Sequence, residues 1–217
     1  MGTIRKNKAF TLAEVLITLL IIGVVSSMVI PAIISDAQNQ EYKVAWKKTY
    51  AIFAQASQRL AMDNGGNIKG LYNTNDAFRN AYLPYLQYTK TCNQSTSTGL
   101  NGCWHALNSW FFLSGDPYSW AGDRSWTSRV ILNDGTLVIV GGDQNCNDYD
   151  SITGACIEIM VDINGYKKPN TVGKDIFVLI VYENGKVLPM GTSRTNFAGD
   201  CIPSQGSGLG CASEYLK

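Results

Sequence analysis

Residues 9–34 read AFTLAEVLITLLIIGVVSSMVIPAII, and this stretch decides what kind of chain follows. Residues 15–34 form 20 positions without a charge, enough at about 1.5 Å per helical residue to cross a hydrocarbon core of roughly 30 Å. Arg5, Lys6 and Lys8 precede it, a basic end that stays on the cytoplasmic side. An ordinary secretory signal has an apolar stretch of only about 7 to 15 residues, and it gains nothing from a carboxylate at its mouth. Glu14 is such a carboxylate. An ionisable group in a membrane helix costs about 2.5–3.5 kcal/mol at mid-bilayer, so Glu14 requires a cation. A cut between Ala9 and Phe10 would create one, the α-amino group of Phe10, which Glu14 of a neighbouring subunit could meet.

The basic leader, the small Ala9, and then Phe10-Thr11-Leu12-Ala13-Glu14-Val15-Leu16-Ile17-Thr18-Leu19 resemble the processing site of type IV prepilins and type II secretion pseudopilins. The resemblance implies that a prepilin peptidase removes residues 1–9 and N-methylates Phe10. It also implies that Glu14 is the glutamate used in assembly and that Pro31 is the proline that kinks the membrane helix. Ala9 departs from the pattern, where glycine is more usual before the cut. The partners implied are other pilin-like subunits in a filament, the prepilin peptidase, and an assembly platform in the bacterial inner membrane. The head then lies outside the cytoplasm, at the cell surface or in the periplasm. The similarity is strong over about the first 60 residues and loose beyond them. Two alternatives compete with it. Ser35-Asp36-Ala37 has the form of a signal-peptidase site, which would release a soluble protein, and the helix could be a plain anchor for an exported binding module that recognises a glycan or a protein.

Past Pro31 the pattern stays helical, with Ile34, Ala37, Glu41, Ala45, Trp46, Thr49, Ile52, Phe53, Ala56 and Leu60 on one face. This second half is amphipathic and suited to lie on a head domain, and Asn64-Gly65-Gly66 ends it. Residues 10–64 are therefore one N-terminal helix and 65–217 the head. Residues 67–128 read as short helices and loops, among them a helix over 76–86 ended at Pro84. Trp104, Trp110, Phe111, Phe112, Trp120 and Trp126 form an aromatic group, either core or ligand surface. Strand patterns over 129–132, 136–140, 156–163, 175–182 and 186–189, joined by Asn133-Asp134-Gly135 and Glu183-Asn184-Gly185 turns, predict an antiparallel sheet of four or five strands. The fold class is α+β: a long helix on a small antiparallel sheet, the arrangement that the resemblance also implies.

Six cysteines fall as Cys92 and Cys103, Cys146 and Cys156, Cys201 and Cys211. None forms a CxxC and the chain has one histidine, His105, which makes a zinc cluster the weaker reading. Six cysteines allow about 15 pairings. Neighbouring pairs are expected, each stapling a short loop in an oxidising compartment. With 18 Lys and Arg against 17 Asp and Glu, there is no broad field to gather nucleic acid. Asp143, Asn145, Asn147, Asp148 and Asp150 lack the glycine and distal glutamate of an EF-hand. Asp162, Asn164, Asn170 and Asp175 flank one tight loop and are the better candidates for calcium, with a turn held by Asx hydrogen bonds as the alternative. His105 stands without a nucleophile or phosphate motif, so no enzyme is expected.

Overall fold

The computed structural model describes residues 11–93, 102–106, 109–118, 127–143, 145–146 and 152–217. Its elements are helix α1 (Leu12–Asp63), helix α2 (Asn75–Tyr82), strands β1 (Tyr88–Cys92), β2 (Ser128–Leu132), β3 (Leu137–Gly142), β4 (Ala155–Asp162), β5 (Ile176–Tyr182) and β6 (Val187–Pro189), and a final turn of helix α3 (Cys211–Glu214). Two compact units share the chain, Met1–Glu41 and Tyr42–Lys217. The second half of α1, from Tyr42, thus belongs to the same compact unit as the sheet.

In the first unit no residue from 12 to 41 is buried, although residues 15–34 carry no charge and are almost wholly apolar. By length and composition this helix can cross a membrane. Two of its hydroxyls are satisfied within the helix: Thr18 donates to the Val15 carbonyl at 2.9 Å and Ser27 to that of Val24 at 2.7 Å. The helical assignment runs through Pro31 unbroken.

In the second unit, residues 42–63 of α1 bury Trp46, Thr49, Phe53, Ala56, Ser57, Leu60 and Ala61, recurring every three to four residues. Gly65 and Gly66, both at positive φ, end the helix, and Gly66 N–H returns to the Ala61 carbonyl at 2.7 Å. The six strands form an antiparallel meander in sequence order. Register places Val130, Val138, Val161 and Phe177 side by side on one face. Phe177 there stacks on Trp46 with ring centroids 4.6 Å apart, so this face carries α1. The opposite face holds Leu137, Asp162 and Ile176 in register. It is covered as well, since every residue of β4 and six of the seven in β5 are buried. That accounts for the near-continuous apolar runs of these strands, which a sheet solvated on one side would replace by alternation.

Two expectations need correction. The sheet has six strands, because Tyr88–Cys92 in the presumed loop region pairs with β2. Its own sequence, YTKTC, is polar and mostly exposed. Pairing to β2 and Arg79, whose Nη1 donates to the Cys92 carbonyl at 2.9 Å, place it. Helix α2 stops at Tyr82, and Pro84 sits in a 3-10 turn over Leu83–Tyr85, where its missing N–H costs nothing. Thr74 caps α2 by accepting from Ala77 N–H. Of the two readings of the aromatic group, the described tryptophans take the first: Trp104 and Trp110 are buried and edge-on to each other, and Trp110 stacks on the buried Tyr118 at 3.8 Å. These rings are core. Trp120 and Trp126 lie outside the described residues.

The cysteines join as neighbours: Cys92 with Cys103, Cys146 with Cys156, and Cys201 with Cys211. The β5–β6 turn meets α1 closely. Gly185 has φ +76°, and a Cβ there would lie 2.6 Å from both the Ala61 Cβ and the Ser57 carbonyl oxygen.

Candidate functional site

At the start of α1, Thr11 and Glu14 form a reciprocal cap. Thr11 N–H and Oγ1 donate to Glu14 Oε2 at 2.8 and 2.9 Å, and Glu14 N–H donates to Thr11 Oγ1 at 3.3 Å. A helix leaves its first N–H groups without partners, and the Thr-x-x-Glu spacing satisfies two of them with side chains. The carboxylate also sits at the positive end of the helix dipole. Within the chain Glu14 is therefore already hydrogen-bonded. The spacing is visible in the sequence, but the reading above paired Glu14 only with a future amine and missed Thr11. Ala9 and Phe10 lie outside the described residues.

The second candidate is the loop between β4 and β5, where Asp162, Asn164, Asn170 and Asp175 come together. Asp162 and Asp175 are fully buried. Asp162 Oδ1 accepts from Asn164 N–H at 3.1 Å, and its Oδ2 lies 2.7 Å from His105 Nε2. Asp175 Oδ1 accepts from Thr171 N–H at 2.6 Å, and Oδ2 from Asn170 N–H at 2.8 Å and Asn164 Nδ2 at 3.1 Å. Asn164 Nδ2 also points to the Lys168 carbonyl, and Asn170 Nδ2 donates to that of Ser109. Burial pushes the Asp162 carboxyl up to about 6 against the opposing pull of the His105 hydrogen bond. Burial raises that of Asp175 too, offset by the backbone N–H groups it accepts.

His105 completes this network from 57 residues away, a pairing that no local spacing announces. Its ring is buried and steeply inclined to those of Trp104 and Tyr166, which pack against it. Around the loop the chain interlocks: Phe111 N–H donates to the Asn170 carbonyl, Val172 N–H to that of Phe111, and Leu113 N–H to that of Ser207. Of the other acidic stretch, Asn147, Asp148 and Asp150 lie outside the described residues. Among the described residues no group of three or more His, Cys, Asp or Glu is placed to hold a metal.

Comparison with known proteins bears on the first site. The family model for the prokaryotic N-terminal methylation motif matches residues 4–30. No curated protein and no solved structure matches the chain. The match takes in the basic leader, the Ala9–Phe10 junction, the capped Glu14 and most of the unburied apolar stretch, so this N-terminus is the signature that marks type IV pilins and pseudopilins.

Proposed function

We propose that the chain is a structural subunit of a type IV pilus or type II secretion filament, made as a membrane-inserted precursor and not an enzyme itself. The observation that carries this is the methylation motif at residues 4–30 leading into a helical stretch, residues 15–34, that buries nothing and carries no charge. Such a surface needs either lipid or the helices of other subunits. Before assembly the helix lies across the inner membrane, with Arg5, Lys6 and Lys8 in the cytoplasm and the disulfide-stapled head outside it. A prepilin peptidase cuts after Ala9 and methylates Phe10. On transfer from bilayer to filament the helices bundle, and the Glu14 carboxylate exchanges part of its bonding to Thr11 for the amine of a neighbouring Phe10. A register error would leave that charge buried without its partner, at about 3–5 kcal/mol, which gives the filament its axial register.

The test is Glu14→Ala. The variant is cleaved and methylated like the wild type but does not enter filaments sheared from cells. Normal incorporation refutes the assembly role. The alternative of an exported binding module has less support, because the described tryptophans that could stack on a ligand, Trp104 and Trp110, are buried.

A further inference from the structure

Two carboxylates and two amides are hard oxygen ligands of the kind calcium takes, and the four side chains named above do converge. A calcium site takes about six to eight oxygen ligands at about 2.3–2.6 Å. Here all four carboxylate oxygens of Asp162 and Asp175 already accept a hydrogen bond from the protein. The amide of Asn164 turns its NH2 group, not its oxygen, toward Asp175, so a hydrogen occupies the direction that a shared cation would need. The amide of Asn170 is oriented likewise by its bond to the Ser109 carbonyl. Asn164 Oδ1 and Asn170 Oδ1 are buried without a donor, so they are the two side-chain oxygens of the quartet that the protein does not already engage, against the about six to eight oxygen ligands that calcium takes. The residues present do not fit calcium.

We infer that His105 takes the position on Asp162 that a divalent cation would occupy, so that the β4–β5 loop is closed by the protein alone and the head folds without metal. The path is continuous: His105 holds Asp162, Asp162 holds Asn164 N–H, Asn164 holds Asp175, and Asp175 fixes the N–H groups of Asn170 and Thr171. From there Phe111 pairs with Asn170 and Val172, so the same network docks the segment at 109–118. His105 itself is delivered by the segment that Cys103 ties to β1. It is a positioning residue, joining one disulfide-bounded segment to the loop that ends β4.

Thermal unfolding of the full chain in detergent micelles, followed by tryptophan fluorescence, tests this with calcium alone as the probe. The wild-type Tm is the same in EGTA and in millimolar calcium, within about 1 °C. His105→Ala lowers Tm by about 5 °C or more, and His105→Gln, which keeps a donor, recovers at least half of that loss. A wild-type Tm that rises saturably with calcium overturns the inference, as does a His105→Ala variant as stable as wild type. Neither result depends on filament formation, so failure here leaves the Glu14 experiment standing.

Discussion

Replacing Trp46 by phenylalanine and by alanine separates the two interactions that hold residues 42–63 of α1 to the head. The indole is fully buried, stacks on Phe177 at 4.6 Å, and donates Nε1–H to the Ala212 carbonyl at 2.9 Å. Phenylalanine keeps a ring over Phe177 but takes the donor from a buried carbonyl, which costs about 1–3 kcal/mol. Alanine removes the ring as well and leaves a cavity between helix and sheet, for about 3–5 kcal/mol. For a domain of this size each kcal/mol shifts Tm by about 2–4 °C, so the phenylalanine variant melts about 2–12 °C lower and the alanine variant about 6–20 °C lower. Near-UV circular dichroism of the full chain in micelles follows the loss of packing around the aromatic core. An alanine variant that melts with the wild type would mean that α1 is not anchored through Trp46, and the division of the chain at Tyr42 would lose its physical basis.

Two further predictions concern α1. Thr11→Ala removes a capping side chain worth about 0.5–2 kcal/mol, so the amides of the first helical turn exchange with solvent about 2- to 30-fold faster in micelles, while Thr11→Ser behaves as wild type; equal exchange in all three would mean that the cap does not form. Gly185→Ala forces a methyl to 2.6 Å from Ala61 and from the Ser57 carbonyl at φ +76°, for a loss of about 2–4 kcal/mol. A second change, Ala61→Gly, relieves the side-chain clash but not the backbone one, so urea midpoints recover only in part, and full recovery would show that the Ser57 contact is not tight.

The parts of the fold readable in the sequence are those whose physics is local. The membrane stretch is a matter of composition, and the amphipathic half of α1 shows its period because one face packs on one sheet. The hairpin turns carry their own chemistry. Asp134 Oδ1 accepts from Thr136 N–H and Asn184 Oδ1 from Lys186 N–H, with Gly135 and Gly185 supplying positive φ. Strand β1 was not readable, because its polar residues are held by neighbours distant in sequence, Arg79 and β2. The loop quartet illustrates the same limit from the other side. Its residue types and spacing suggested oxygen ligands, but the partner that decides their chemistry, His105, lies on the far side of three strands in the chain and is brought to Asp162 only by the tertiary fold. The Thr11–Glu14 cap could have been found from spacing alone.

Intact mass and N-terminal sequence of the protein taken from its native membrane, with and without reduction, test processing and head chemistry together. A mature chain starting at N-methyl-Phe10, and lighter before reduction by the six hydrogens of three disulfides, is the expected result. A chain starting near Gln38 would mean that a conventional signal peptidase releases a soluble protein, and assembly through Glu14 would be impossible.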